Sequence, residues 1–127
     1  MSGNLRLAIL VSVGAVLGAN ARYWLGRWLT ATWPMNFPFA TLLINGSGSV
    51  LLGALVAVPR NHALANGEMY ALLGVGFLGA YTTFSTFSVE TLRLLQNGFP
   101  IQAVGYALGS PLLGVAGAAL GWWLVRR

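Results

Sequence analysis

Long apolar stretches without a charged residue dominate the pattern of the chain. The long ones are at residues 7–21, 28–59, 69–89 and 94–125. A helix that crosses a membrane needs about 20 mostly apolar residues, and the last three stretches supply that length. The first stretch is shorter, so a helix there has to extend past Arg22 toward Trp28. The pattern therefore predicts four membrane-spanning helices, near residues 5–30, 38–58, 69–96 and 100–125.

Proline-containing and polar segments separate the predicted helices. Pro34 and Pro38 lie just before the second helix, and two prolines so close together rarely lie inside one helix. The other connections are the polar residues 59–68 and the segment 97–100. We expect one domain, residues 1–127, with the all-α fold of an integral membrane protein.

The segment Ala19-Asn20-Ala21 is similar to a signal-peptidase site behind an apolar stretch. Only Arg6 precedes that stretch, and the rest of the chain is itself apolar enough for the membrane. We expect the stretch to be retained as the first helix.

The composition supports the membrane prediction. The chain has seven Arg and two Glu, 57% hydrophobic residues and only 7% charged residues, whereas a soluble domain has about 25%. So few charges leave large apolar patches on a soluble globule, which excludes a soluble monomer. The scattered Arg residues form no basic stripe, so we expect no nucleic-acid partner. The absence of Cys excludes disulfides and thiol catalysis.

The arginines are almost evenly divided between the two sides of the membrane. With four helices, both termini and residues 59–68 share one side, which holds Arg6, Arg60, Arg126 and Arg127. The other side holds Arg22, Arg27 and Arg93. Orientation normally follows the Lys and Arg asymmetry between loops. Four against three leaves two hypotheses open: insertion in both orientations, with antiparallel homodimers, or a single orientation set by one arginine.

Glycines recur inside the predicted helices at the spacing of helix contacts. The pairs are Gly14/Gly18, Gly105/Gly109 and Gly117/Gly121, with Ser49/Gly53 as a related small-residue pair. Residues four apart share a helix face, and small ones let two backbones approach closely. The spacing predicts helix contacts within or between subunits.

The third predicted helix has an unusual cluster of hydroxyl side chains near its middle. Five Thr and Ser residues occur in segment 82–88, after Gly74, Gly76 and Gly79. A break at these glycines would free backbone carbonyls, which are tolerated at membrane depth only when protein, water or an ion satisfies them. It would also point the positive end of a helix dipole into the membrane core. The cluster therefore predicts a broken helix and an ion site; the alternative is an unbroken helix whose hydroxyls bond to carbonyls four residues earlier.

A few other polar or aromatic residues lie within the spans. Phe84 and Phe87 share a helix face, and the edges of their rings carry partial positive charge that attracts anions. Asn45, midway along the second helix, can donate two hydrogen bonds. Tyr106 and Ser110 lie four apart on the fourth helix and form a polar stripe.

Three ionisable residues complete the set of candidates. Arg22 either extends to the membrane surface or faces a wet vestibule. Glu90 is a candidate for proton coupling or for pairing with Arg93 one turn later. His62 lies in a polar loop, where a solvated role is expected. No arrangement supplies a nucleophile with a base or a transition-metal site, so we expect no enzyme activity.

These motifs resemble the CrcB/Fluc fluoride-channel family over the whole chain. The most specific match is residues 76–90, GFLGAYTTFSTFSVE; residues 18–23, GANARY, and 41–45, TLLIN, are weaker matches. The resemblance implies an antiparallel dual-topology homodimer in the bacterial inner membrane with two pores that pass fluoride out of the cell. It also implies broken third helices that cross at the dimer centre.

The resemblance also implies specific roles for residues. A structural sodium ion at the dimer interface would be held by the backbone carbonyls of Gly79 and Thr82 of both subunits. The fluoride pathway would include Asn45, Phe84, Phe87, Tyr106, Ser110 and Glu90, and Arg22 would lie near a vestibule. Two departures stand out: Ala80 replaces a common second glycine, and Gly114 replaces a hydroxyl residue, so the polar track is expected to be thinner or completed by water.

Elementary chemistry agrees with these assignments. Fluoride is strongly hydrated, so a selective passage has to replace its water shell with hydrogen-bond donors. The side chains that can donate are Asn45, Ser85, Thr86 and Ser110. Conduction also requires sites weak enough to release the ion, which suits ring edges. A membrane potential that is negative inside expels an anion without ATP, and the sequence has no nucleotide-binding motif.

Two other functions remain as alternatives. One is a small proton-coupled multidrug exporter with four helices, which needs an intramembrane carboxylate that exchanges a proton. Glu90 is the one acid within a span, but Arg93 lies beside it. The other is a purely structural membrane subunit, which leaves the hydroxyl cluster unexplained.

Overall fold

The computed structural model describes residues 2–127, which form helices joined by short turns. The helices are α1 (Gly3–Thr32), α2 (Phe39–Ala57), α3 (residues 67–81), α4 (Phe84–Gln96) and α5 (Pro100–Arg126). A short 3-10 turn, Ala63–Ala65, precedes α3. The stretches long and apolar enough to cross a membrane are Gly3–Thr32, Phe39–Ala57, Gly67–Gln96 and Pro100–Arg126. The all-helical fold and the four spans are confirmed, and the observed ends lie within two residues of the predicted ones.

Local sequence sets the helix ends at the start of α1 and at the turn between α4 and α5. The Ser2 hydroxyl accepts a hydrogen bond from the Leu5 N–H, so it caps the start of α1. Gly98 has a φ of +80°, a conformation that favours glycine, and it ends α4. Pro100 is then the first residue of α5, where its missing N–H removes no helical bond.

The third span is not a uniform α-helix. It begins as α-helix over Gly67–Met69, becomes π-helix over Tyr70–Leu78 and returns to α-helix over Gly79–Tyr81. Thr82 and Thr83 are extended, and α4 begins at Phe84. Helical geometry thus continues through the glycines where a disruption was predicted, and the non-helical residues come after them.

Glycines bring α1 into backbone contact with α3. A Cβ at Gly14 would collide with the Leu72 carbonyl oxygen, and one at Gly18 with the Phe77 carbonyl oxygen. Because only glycine permits this approach, the Gly14/Gly18 pair forms the predicted helix contact within one subunit.

A second glycine contact joins α2 to α5. A Cβ at Gly53 would collide with the Ala118 carbonyl oxygen, and one at Gly121 with the Val50 carbonyl oxygen. Gly105 and Gly109 differ, since an added Cβ at either position has no neighbour within 4 Å. Their face of α5 is therefore open in a single subunit.

Large apolar side chains cover the outside of the helix bundle. Ile101, Leu112 and Val115 on α5 are 88%, 70% and 72% exposed. In water these side chains would form an extended apolar patch, whereas in a bilayer they contact acyl chains at little cost. The exposed surface of the fold therefore agrees with a lipid environment.

An exposed ion pair joins the start of α1 to the beginning of α3. The Arg6 guanidinium lies 2.9 Å from the Glu68 carboxylate. This contact places the N-terminal end beside residues 59–68, on one side of the bundle, as an even number of spans requires. The pair contributes little to stability because both side chains are exposed.

Candidate ion pathway

The extended link between α3 and α4, residues Thr82 and Thr83, is held by an asparagine of α2. The Asn45 amide nitrogen donates to the Thr83 carbonyl at 3.0 Å, and the Asn45 amide oxygen accepts from the Thr83 N–H at 2.8 Å. Both backbone polar groups of Thr83 are therefore satisfied without helical bonds. Asn45, which was predicted to line the ion pathway, thus acts as a clamp, meaning that its side-chain amide holds the non-helical backbone at Thr83.

An arginine of α1 holds the backbone on the other side of the link. The Arg22 side chain, through Nε, donates to the Ala80 carbonyl at 3.1 Å. The Arg22 side chain is therefore directed toward the end of α3. Neither alternative weighed for Arg22, extension to the surface or a wet vestibule, included this backbone contact.

Two backbone carbonyls near the link are left without a donor. In a continuous helix the Thr83 N–H would bond to the Gly79 carbonyl, but it donates to Asn45. Likewise the Thr86 N–H, which would bond to the Thr82 carbonyl, donates to the Thr83 hydroxyl at 3.2 Å. Both N–H groups therefore bond elsewhere. Within residues 2–127, no loop or side-chain donor bonds to the Gly79 or Thr82 carbonyl oxygen in their place.

The hydroxyl cluster forms the start of α4. Thr83 is its N-cap, and the Thr83 hydroxyl donates to the Thr86 hydroxyl at 3.0 Å. The Ser85 hydroxyl lies 3.3 Å from that of Thr83 and is exposed. Ser88 instead bonds to the Phe84 carbonyl four residues earlier. Thr83 thus caps the start of α4, whereas Ser88 makes the bond to a carbonyl four residues earlier that the unbroken-helix alternative expected.

A groove of about 330 Å³ runs beside the link. It is lined by Asn45, Gly48, Ser49, Leu52, Leu78, Thr82, Thr83, Phe84, Phe87, Ser110, Pro111 and Gly114. The Phe84 side chain is 78% exposed, and its ring centroid is 5.6 Å from that of Phe87. The structure therefore brings Asn45, the two phenylalanines and Ser110 to one surface. The groove is not lined by the other predicted site residues Ser85, Thr86, Glu90, Tyr106 and Arg22.

Glu90 lies farther along α4, where two hydroxyls hold its carboxylate. The Thr41 hydroxyl donates to one carboxylate oxygen at 2.8 Å, and the Tyr106 hydroxyl donates to the other at 2.8 Å. Within residues 2–127 Glu90 forms no ion pair with Arg93, so that interpretation is wrong. The reason is geometric: a helix on each side supplies a closer hydroxyl donor.

Aromatic rings connect this carboxylate to the groove. The Tyr106 ring is 5.0 Å from that of Phe87, measured between centroids, and 5.4 Å from that of Phe37 in an edge-on arrangement. Glu90 also lines two small cavities, of about 170 and 190 Å³, toward the C-terminal end of α4. Phe87 thus links the groove to the Glu90 site, and the small cavities continue toward the connecting segments.

Comparison with known proteins identifies the family. Residues 9–122 match the family described as CrcB-like protein, Camphor Resistance (CrcB). The chain belongs to this family.

Three curated family members illustrate the similarity. "Fluoride-specific ion channel FluC" of Oceanobacillus iheyensis is 43% identical over 117 residues, 92% of this chain and 89% of the relative. The protein of the same name from Synechocystis sp. is 41% identical over 127 residues, 100% of this chain and 98% of the relative. That of one strain of Thermus thermophilus is 44% identical over 116 residues, 91% of each chain.

The two departures noted in this CrcB-like chain have clear positions in the structure. Ala80 contributes the carbonyl that accepts from Arg22, and its helical backbone accommodates a Cβ. Gly114 lines the groove, and a Cβ added there would lie 3.5 Å from the Ser49 hydroxyl. Ser49 therefore places a hydroxyl near the one missing at position 114, although it also donates to the Asn45 carbonyl at 2.8 Å.

Sequence reasoning missed two residues of this region. Thr41, which binds Glu90, is buried and lies four residues before Asn45. That spacing places both on one face of α2 and was the available signal. Ser49, again four residues on, was noted only for its size. His62 lies outside the region and accepts a hydrogen bond from the Leu64 N–H in its loop.

Proposed function

We propose that this protein is a fluoride-selective channel that passively exports fluoride and so lowers its concentration in the cytoplasm. The observation that carries the proposal is the name shared by relatives along the full chain, "Fluoride-specific ion channel FluC". With four membrane spans, the chain is a multi-pass bacterial membrane protein, and we place it in the inner membrane.

The groove gives this proposal a physical basis. Phe84 and Phe87 line it, and the edges of such rings carry partial positive charge that attracts an anion without binding it tightly. Ser110 offers a hydroxyl donor on the same surface, and Ser85 and Thr86 offer hydroxyls beside the link. Donors that replace part of the water shell of fluoride favour its entry, and weak ring contacts allow its release.

Glu90 marks the far end of the proposed pathway. Its two carboxylate oxygens accept hydrogen bonds from Thr41 and Tyr106, which holds its negative charge away from the groove. We therefore assign Glu90 and Tyr106 to the exit region rather than to the centre. An anion that passes Phe87 would reach the Tyr106 ring next, because the two rings are in contact.

We further propose that two copies form an antiparallel dimer. Gly79, Phe84, Ser85 and Ser88 are exposed around the link, so polar backbone and hydroxyl groups of one subunit would face lipid. Unsatisfied polar groups are costly in the hydrocarbon core, and a second copy would cover them. The nearly even arginine distribution supports the antiparallel arrangement.

A structural sodium ion suits the carbonyls at this interface. The Gly79 and Thr82 oxygens do not receive the helical bonds from the Thr83 and Thr86 N–H groups, and a second copy would bring two more such oxygens. Hard cations prefer oxygen ligands, and unwound backbone carbonyls coordinate Na⁺ in membrane transporters. When bound, the ion would supply a fixed positive charge. The chain would supply the backbone carbonyls that bind it, and Asn45 and Arg22 hold the backbone beside those carbonyls.

The proton-coupled exporter is not supported. The relatives carry the name of an ion channel, and the carboxylate such a carrier needs is engaged by Thr41 and Tyr106. Channel activity also leaves no catalytic role for these residues, so we propose no enzymatic function.

Fluoride efflux from proteoliposomes tests the proposed function. From liposomes loaded with potassium fluoride and diluted into sodium buffer, we expect rapid fluoride efflux when valinomycin carries potassium out to balance the charge, with no efflux from protein-free liposomes. Liposomes loaded with potassium chloride should retain their chloride. The Glu90→Gln variant should still release fluoride without a pH gradient. Efflux that requires a pH gradient and disappears in Glu90→Gln would identify an exporter instead.

A further inference from the structure

Tyr81, the last helical residue of α3, makes a contact that the proposed function does not use. Its side chain is only 7% exposed, and its ring stacks on Phe77 with the planes 8° apart. Its hydroxyl lies 3.0 Å from the Ser47 hydroxyl on α2. Because Ser47 donates its one proton to the Ile44 carbonyl, at 3.1 Å, the Tyr81 hydroxyl is the donor to Ser47.

Regular helical geometry ends directly after Tyr81. The Thr82 N–H still bonds to the Leu78 carbonyl at 3.1 Å, but the Thr83 N–H leaves the helix for Asn45. The directions of the Gly79 and Thr82 carbonyls are therefore not set by a continuing helix. Contacts with α1 and α2 have to fix them.

Three such contacts hold consecutive parts of this segment. Arg22 holds the Ala80 carbonyl, and Asn45 holds Thr83. The Tyr81 contact lies between these two, directly before Thr82. At this point α2 approaches so closely that a Cβ at Gly48 would collide with the Thr82 methyl group and lie 3.2 Å from the Tyr81 ring.

We propose that the hydrogen bond from Tyr81 to Ser47 positions the carbonyl oxygens of Gly79 and Thr82 and thereby sets how tightly they hold sodium. The proposal rests on the proposed sodium site. Tyr81 and Ser47 are positioning residues, because neither lines the fluoride groove and neither presents its hydroxyl to the carbonyls.

Thermal unfolding of the purified protein over a range of sodium concentrations tests this role. An ion that binds only the folded protein raises the free energy of unfolding by RT ln(1 + [Na⁺]/Kd), so a weaker site needs more sodium for the same stabilisation. In Tyr81→Phe the ring and its stacking remain, and only the hydroxyl is lost. We expect the variant to need about three- to tenfold more sodium for the same increase in stability over the sodium-free protein, the range expected for one neutral hydrogen bond. Sodium-dependent fluoride efflux should shift in parallel.

Matched variants separate positioning from general destabilisation. Ser47→Ala should reproduce the shift, Ser47→Thr should retain the wild-type response, and the double variant Tyr81→Phe/Ser47→Ala should be no worse than either single variant. Tyr70→Phe, at the exposed start of the π-helical segment, is the control and should leave the sodium response unchanged.

The outcomes distinguish this inference from the proposals on which it rests. If sodium stabilises wild type and Tyr81→Phe at equal concentrations, the positioning role is overturned while the sodium site stands. The same holds if Tyr81→Phe is less stable by a constant amount at every sodium concentration. If sodium does not stabilise wild type, the sodium site and this inference fall together, and fluoride efflux then decides the channel separately.

Discussion

Asn45 illustrates what single residues can and cannot reveal. A polar amide in the middle of an apolar span needs partners, so its importance was visible in the sequence. Its partner, the backbone of Thr83, lies 38 residues away, and the contact exists because Thr83 has left helical geometry. Sequence therefore identified the residue, whereas its action as a backbone clamp depends on the folded arrangement of α2 against the link.

The two hydrogen bonds of Asn45 lead to a specific prediction. Asn45→Asp places a negative charge on the groove and replaces the amide that donates to the Thr83 carbonyl with an oxygen that repels it. We expect fluoride efflux from proteoliposomes to fall at least a hundredfold. Asn61→Asp, in the exposed loop, is the matched control and should conduct normally. Normal efflux in Asn45→Asp would remove Asn45 from both the pathway and the clamp.

The helices were largely predictable, and the interruption between α3 and α4 was only partly so. Uncharged runs and proline segments located the spans because bilayer thickness fixes their length. The glycines suggested a break near Gly79, but helical geometry lasts until Tyr81. The position of the link depends on Asn45, which takes the N–H of Thr83 out of the helix, and on the π-helical segment before it. Neither feature follows from hydropathy.

Glycines with the same spacing should differ in their effect on stability. Gly18→Ala would press a methyl group into the Phe77 carbonyl between α1 and α3. We expect a loss of about 1–3 kcal/mol, the range for overpacking, measured as the free energy of unfolding in detergent. Gly105→Ala adds the same group where the subunit has open space, and its effect should be small. Equal losses would mean that Gly105 also lies in a close contact, which points to the face between subunits.

At the scale of the whole molecule, the surface of the folded chain combines two kinds of region. Most of it is apolar and suited to lipid, but the link exposes hydroxyls and the Gly79 carbonyl region on the same surface. The low charge content predicted the membrane, and the even division of arginines favoured a chain that inserts in both directions.

Labelling of single cysteines measures orientation directly, because the natural chain has none. A cysteine in place of Asn61, in the loop on the side of both termini, should react with an impermeant maleimide from both sides of the membrane in similar amounts. This follows if four arginines against three leave orientation unbiased. Replacing His62 and Leu64 with arginine should shift the labelling of this loop toward the cytoplasmic side. Fluoride efflux should then fall, because fewer antiparallel pairs can form. Labelling of the unmodified loop from one side alone would contradict dual insertion, and with it the antiparallel dimer.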